Sequence, residues 1–510
     1  MTHSSAIPLR AALFSLVRLV VSVGLPCAAQ GASPLPRSSP EEQGVASSAV
    51  LAFVEAANEK IDSLNSFMFV RHGHVIAEGW WAPYGPESPH SLYSLSKSFT
   101  STAVGLAVAE GKLSLDDEVL KFFPDDAPAD PSKFLKSMRV RDLLRMSTGH
   151  QAEPPRPADK VWTKTFLEQP VAFKPGTHFL YNTSGTYMLS AIVQKATGQT
   201  LLEYLQPRLF EPLGIERPTW ETSPQGVSTG GYGLSIRTED IARFGQMLLQ
   251  KGQWQGKQLV PAAWVEEATA RQTSNGSNPQ SDWEQGYGYQ FWRCRHGAYR
   301  GDGAFGQFCL VMPEQDAVIA ITSGSKDLQG TLDVIWNKLL PAMSPAALPP
   351  DESARRRLES ALASQKIRPQ EGSASPSASM LGKRWVLPAN ERKLEAIALQ
   401  PGSAGDDVTL VARVDGVERP LACPRGAWKA GRWAWGVLAE QPAAASGAWT
   451  GEGVYSAKIC FYETPFTVTL NLKSRGDELL VDFQQNVGFG NAKQPPLVGK
   501  PEAKPGEAAP

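Results

Sequence analysis

Residues 93–100 read Tyr93-Ser94-Leu95-Ser96-Lys97-Ser98-Phe99-Thr100, and the rest of the chain is arranged about them. Ser94 and Lys97 stand three residues apart. The run that follows, residues 98–110, carries Ala103, Leu106, Ala107 and Ala109 at helical spacing and predicts a helix starting near Ser94. Positions i and i+3 share one helical face, so the serine hydroxyl and the lysine amine would sit one turn apart, close enough to share a proton. An activated serine nucleophile needs such a neighbour. A second Ser-x-x-Lys, Ser323-Gly324-Ser325-Lys326, follows a strand and opens no apolar helix. It reads as a chance recurrence.

The 510 residues exceed one ordinary core, which predicts two domains. A 42% hydrophobic content is that of a globular protein. With a net charge of −1 and no basic stripe, the chain lacks the electrostatic footprint of a nucleic-acid binder. The start of the chain differs. Arg10 precedes an apolar run, residues 11–25, interrupted by Arg18 and followed by Cys27-Ala28-Ala29. This is the pattern of a signal peptide over residues 1–29, and it predicts an exported protein, periplasmic or secreted, with no stable membrane span after cleavage. Leu25 and Pro26 before Cys27 disfavour a lipid anchor there. Four cysteines remain: Cys294, Cys309, Cys423 and Cys460. In an exported protein they can pair as Cys294–Cys309 and Cys423–Cys460, each within one domain; four buried thiols are the alternative.

Taken in order, residues 47–61 predict an amphipathic helix. Residues 67–70 and 75–81 predict a hairpin turning at Arg71-His72-Gly73-His74. His72 and His74 have no further ligand nearby, so they read as turn residues rather than zinc ligands. Helical patterns dominate residues 98–270. Strand-like runs return at 287–295, 306–312 and 317–322, ahead of a helix over 331–343. Strands early and late with helices between predict an α+β domain over residues 30–345: an antiparallel sheet flanked by the first and last helices, plus an all-helical subdomain. Residues 346–380, rich in Pro, Ser and Ala, read as a linker with one helical stretch at 352–364. Residues 381–500 alternate in short runs and predict an all-β domain, a sandwich or barrel. Residues 501–510 read as a disordered tail.

Several segments come in sequence with the Ser94 stretch: Val140-Arg141-Asp142-Leu143-Leu144-Arg145-Met146-Ser147-Thr148-Gly149-His150, Pro175-Gly176-Thr177, Phe179-Leu180-Tyr181, Leu209-Phe210-Glu211-Pro212-Leu213-Gly214 and Gly230-Gly231-Tyr232-Gly233-Leu234-Ser235. Together they resemble the serine β-lactamase-related family over roughly residues 45–340. That family includes class C β-lactamases, penicillin-binding carboxypeptidases, esterases and nylon-oligomer hydrolases. Gly303-Ala304-Phe305-Gly306-Gln307, with Val311 and Pro313, looks most like the nylon-oligomer hydrolase and esterase branch.

The resemblance implies a β-lactamase/transpeptidase-like fold and acyl transfer to water, with no cofactor and no metal. It makes Ser94 the nucleophile, Lys97 the group that deprotonates it, and Tyr181 a proton relay. A lysine base must be desolvated or placed beside another cation to work near neutrality. The family's Tyr-x-Asn box is altered: Thr183 holds the third position, and Asn182 lies one residue out of register. The Lys-Thr-Gly box is absent, its place taken by Tyr299-Arg300-Gly301-Asp302-Gly303-Ala304, with Arg300 or Arg295 available to compensate. The oxyanion-hole donors implied are the backbone N–H groups of Ser94 and Ala304. Asn182, Thr183 and Gly303 are the substrate-binding candidates.

These departures favour a small-molecule ester or linear amide over a β-lactam. The alternatives are a β-lactamase or D-alanyl-D-alanine carboxypeptidase and, outside enzymes, a binding module that keeps the fold. A Gly-x-Ser-x-Gly pattern, Gly226-Val227-Ser228-Thr229-Gly230, lacks the preceding apolar strand that a nucleophile elbow requires. The substrate and oligomeric state are left open by the sequence.

Overall fold

The computed structural model describes residues 1–2, 34–373, 380–402, 407–436, 438–490 and 495–502. Apart from its first two residues, the expected signal peptide lies outside the described residues, as do residues 374–379 of the expected linker.

The first domain is built on a six-stranded sheet of β1 (Leu64–Arg71), β2 (His74–Trp80), β3 (Trp292–Arg293), β4 (Tyr299–Gly303), β5 (Gln307–Met312) and β6 (Ala317–Ser323). Its order is β2-β1-β6-β5-β4-β3, with every neighbour antiparallel. β1 reads as an unbroken buried run because both of its faces are covered. The two-residue period of a strand divides its side chains. Phe67 and Phe69 join the core under α1 (Ser47–Lys60) and α5 (Leu328–Lys338), whereas Met68 and Val70 join the core of the helical side. Across the sheet, Ile321 pairs with both Phe67 and Phe308. Burying each of these side chains contributes about 1.5–3 kcal/mol. On the opposite face lies α4 (Thr238–Leu249), where Gly245 permits close packing: a Cβ there would meet Val318 Cγ1 at 2.5 Å.

α2 (Ser96–Ala109) and α3 (Thr183–Thr197) pack against each other at the centre of the helical subdomain. Within the stretch of helical patterns, residues 201–213 pass through a π turn, Gln206–Phe210, at Pro207, which has no N–H to give the regular ladder. The hairpin expected at His72-Gly73 is present, with both residues at positive φ. Within the expected linker, α6 (Glu352–Ala363) is no tether. Asp351 caps it, Ala354 and Leu358 are buried, and it packs on α1 and β2 as part of the first domain.

The second domain is a ten-stranded antiparallel sheet, curved like a barrel. Its strands are β7 (Arg384–Val386), β8 (Leu394–Pro401), β9 (Val408–Val414), β10 (Val417–Cys423), β11 (Lys429–Trp435), β12 (Leu438–Gly451), β13 (Val454–Cys460), β14 (Thr467–Arg475), β15 (Glu478–Gln485) and β16 (Leu497–Pro501). The order is β10-β9-β8-β7-β16-β15-β14-β13-β12-β11. Of the tail expected over residues 501–510, the first two residues belong to the sheet edge, where Pro501 pairs with Trp385 and Glu502 N–H donates to Arg384 C=O; residues 503–510 lie outside the described residues. Trp433 is fully buried in this core, among Ala443 and Ala445 of β12.

Of the two readings open for the cysteines, the structure has the buried thiols rather than the pairs. All four described cysteines are free and buried. The sheet itself separates Cys294, in the core beneath the terminal helices, from Cys309, which lies under α4 with its thiol toward Ile241 C=O. Cys423 points into the barrel, while Cys460 faces outward to Tyr84 of the first domain. Among the described residues, no helix is long and apolar enough to cross a membrane.

Candidate active site

Tyr93–Leu95 form one 3-10 turn that runs directly into α2, so Ser94 and Lys97 lie one turn apart as their spacing predicts. Ser94 is half-buried and Lys97 is 1% exposed. Lys97 Nζ lies 3.0 Å from Ser94 Oγ, 2.7 Å from Gly231 C=O and 3.3 Å from Thr183 Oγ1. Burial brings the ammonium pKa down to about 7; Glu153 and Asp302 pull it up and Arg156 pushes it further down. In its neutral form the amine has two hydrogens and one lone pair. Gly231 and Thr183 take the hydrogens, which leaves the lone pair for the Ser94 hydroxyl.

Tyr181 completes the group. Its ring stacks on Trp292 at 5.3 Å and lies 4.9 Å from Lys97 Nζ. Burial raises the phenol pKa and its interaction with Ser94 offsets this in part. The net direction is upward, so Tyr181 is a neutral phenol near pH 7, able to pass a proton but not to start as a phenolate base.

The altered boxes resolve differently from the expectation. Asn182 does not replace the missing asparagine: it is fully buried and caps α3, its Oδ1 accepting from Gly185 N–H at 2.9 Å while its amide donates to Thr148 Oγ1. Thr183 does reach the site, on Lys97. Neither arginine replaces the missing lysine. Arg300 is fully buried, bonded to Asp302, Asp282 C=O and Cys294. Arg295 is bonded to Asp282 and Asp333. The cation beside the site is Arg156, from a loop with prolines at 154, 155 and 157, where its guanidinium bonds Glu153 and Ser184. Its spacing from Ser94 gives no motif signal, so sequence reasoning missed it. Gly231 was legible only as part of a glycine run.

Ala304 sits in the turn between β4 and β5. Its C=O accepts from Gln307 Nε2 at 2.9 Å, and among the described residues its N–H donates to no protein group. Ser323 Oγ and Ser325 N–H bond Phe305 C=O and hold the turn from behind. Thus Ser323, in the second Ser-x-x-Lys, braces this turn. Gly303 acts by having no side chain: a Cβ would lie 2.1 Å from Leu92 C=O, so only glycine lets β4 approach the turn that carries Ser94. Ser228, the elbow candidate, is buried and its C=O accepts from Ser190.

Tyr93 and Phe305, the residues before Ser94 and after Ala304, both have positive φ, 48° and 67°. For bulky side chains this costs about 1–3 kcal/mol each and persists only where the surroundings enforce it.

The beta-lactamase family profile matches residues 57–337. The chain is 28% identical over 291 residues to the 6-aminohexanoate-dimer hydrolase of Paenarthrobacter ureafaciens, covering 52% of this chain and 73% of that one. It is 31% identical over 142 residues to an Escherichia coli K12 protein provisionally named a D-alanyl-D-alanine carboxypeptidase, covering 24% of this chain and 33% of that one. Among solved structures, one from Bacillus anthracis, provisionally named a 6-aminohexanoate-dimer hydrolase, superposes with a TM-score of 0.50 at 21% identity, over 61% of this chain and 87% of that one. That likeness supports the fold alone. With the profile spanning more than half of its length, this chain belongs to the beta-lactamase family and is a β-lactamase-related serine hydrolase carrying an appended all-β domain.

Proposed function

We propose that the chain hydrolyses a small-molecule ester or linear amide through an acyl-enzyme on Ser94. The observation that carries this is Lys97 Nζ at 3.0 Å from Ser94 Oγ, with a lysine pKa near 7. A neutral amine is then accessible near pH 7, and the distance suits proton transfer.

In the first half-reaction Lys97 Nζ takes the Ser94 proton and Oγ attacks the carbonyl carbon. The N–H groups of Ser94 and Ala304 receive the oxyanion. The bond to the leaving group breaks, and Tyr181 passes that group the proton held by Lys97. In the second, water gives a proton through Tyr181 to Lys97 and attacks the acyl carbon. Ser94 Oγ then leaves and regains its proton.

Substrate class follows from what the pocket lacks. Asn182 is occupied as a cap, and Arg300 and Arg295 are held by their own carboxylates, so neither arginine stands in for the cation of the Lys-Thr-Gly box. This favours esters and linear amides over β-lactams. The similarity to a hydrolase named for the 6-aminohexanoate dimer supports the same choice. The N-terminal pattern of residues 1–29 supports export, periplasmic or secreted.

A chromogenic ester and a chromogenic cephalosporin assayed side by side test the reading, together with mass spectrometry after fluorophosphonate labelling. Ester turnover and an adduct on Ser94, both lost in Ser94→Ala, are expected. Efficient cephalosporin turnover without esterase activity would identify a β-lactamase instead. Absence of any adduct on Ser94 would leave a binding module.

A further inference from the structure

Tyr93 and Phe305 flank the two oxyanion donors, yet both pack on the core of the β domain. Tyr93 meets Phe305 edge-on at 5.6 Å, and each meets Phe466, at 6.3 and 5.8 Å. Phe489 closes the group, 5.8 Å from Tyr93 and 4.8 Å from Phe305. Phe466 and Phe489 both belong to the β domain.

Phe466 is itself fixed. It is 7% exposed, its C=O accepts from Phe461 N–H, and its N–H donates to Thr464 Oγ1. The loop that carries it is bonded to the first domain on one side of the oxyanion site and packs closely against it on the other. Ser91 N–H donates to Glu463 C=O at 2.9 Å, and Tyr84 Oη donates to Thr464 C=O at 3.0 Å. On the other side, Gly324 lies so close to Pro465 that a Cβ would sit 2.4 Å from its carbonyl oxygen. Gly324 follows Ser323, which braces the Ala304 turn.

A positive φ in an aromatic residue is not a local preference, so something outside residues 93 and 305 must impose it. The surroundings that hold these two rings come from the other domain. We propose that the β domain is a working part of the hydrolase. Through Phe466, covered by Phe489, it holds Tyr93 and Phe305 in their left-handed conformations and so aims the N–H groups of Ser94 and Ala304 at one oxyanion. Phe466 and Phe489 are positioning residues: they act through the two donors and not on the substrate. This inference rests on the Ser94 acyl-enzyme reading.

The test is the full chain with Phe466→Ala, Phe466→Tyr, Phe489→Ala and, as a stability control, Ile397→Ala on β8 in the β-domain core. Steady-state constants are measured for an acetyl and a hexanoyl chromogenic ester, at a temperature where every variant is folded. Misplacing a donor should cost kcat about 10- to 100-fold in Phe466→Ala, with KM changed less than threefold. The loss should be equal for both esters and largely restored in Phe466→Tyr. Phe489 is 74% exposed, so Phe489→Ala leaves folding intact; it should lower kcat about 3- to 10-fold. Ile397→Ala should lower melting temperature without this kcat loss. The proposal is overturned if Phe489→Ala keeps kcat within twofold of wild type, if Phe466→Ala loses no more than Ile397→Ala, or if the loss falls on KM for the hexanoyl ester alone. Retained activity in Ser94→Ala is a separate result and defeats the underlying reading instead.

Discussion

The carbonyl oxygen of Gly231 accepts a hydrogen bond from Lys97 Nζ at 2.7 Å, a shorter contact than the 3.0 Å from the same nitrogen to Ser94 Oγ. Glycine is required for it, because a Cβ on residue 231 would lie 2.5 Å from Thr183 Cγ2 and 3.4 Å from Nζ. Gly231→Ala should therefore push this backbone off the lysine and lower kcat about 10- to 100-fold. Thr183→Ser removes the clashing methyl and keeps the hydroxyl. Adding it to Gly231→Ala should restore part of the rate. A double variant no better than Gly231→Ala would show that the clash is not the cause.

Lys97 sets the pH dependence. With its pKa near 7, kcat/KM should rise with pH through about 7 and then level off. Stability carries the same signature. The folded pKa lies below the unfolded value of about 10.4, so the folded state holds fewer protons between these limits and gains stability as pH rises from about 7 to 10. Lys97→Met lacks this gain. Chemical denaturation of both proteins at pH 6 and pH 10 should show wild type improving relative to Lys97→Met as pH rises. An unchanged difference would mean that the lysine is not desolvated.

Tyr181 should matter to rate and little to binding. Its hydroxyl faces Ser94, and its raised pKa keeps it protonated. Tyr181→Phe preserves the stack on Trp292 and removes only the hydroxyl proposed as the relay. The expected result is a kcat lower by about 10²- to 10⁴-fold with KM nearly constant. A change confined to KM would assign the hydroxyl to substrate contact.

Much of this was legible because helical and strand periods are local. The spacing of Ser94 and Lys97 over the turn that leads into α2, the hairpin at His72, and the early and late strands need no distant information. The misses have longer-range causes. Asn182 seemed available to substrate because its role as a helix cap depends on where α3 starts. Arg300 seemed free because its partner Asp302 sits two residues along the same strand, a contact visible only once β4 is placed. β12 carries little strand signal of its own, because its Ala-rich segment lacks the branched and aromatic residues that mark one. Its small residues make sense only beside large neighbours across the sheet. At Gly447, for instance, a Cβ would meet Tyr455 Oη at 2.0 Å.

The cysteines give a chemical count. Four free buried thiols should react slowly with a thiol reagent in native protein and fully after denaturation. Mature protein that has lost residues 1–29 should titrate four thiols; protein retaining Cys27 should titrate five. Fewer than four under denaturing, non-reducing conditions would reinstate a disulfide. Reductant should leave the melting temperature unchanged.

The loop charges next to Lys97 act in opposite directions and can be separated. Glu153 raises the lysine pKa and Arg156 lowers it, and the two are bonded to each other. Removing either also frees the other. Glu153→Gln leaves Arg156 unopposed, so it should move the acid limb of the pH–rate profile to lower pH. Arg156→Gln leaves Glu153 unopposed and should move it to higher pH. Both side chains are partly exposed, so the shifts should be fractions of a pH unit and should shrink as salt is added. Two shifts of the same sign would mean that the loop acts on the site through its position rather than its charge.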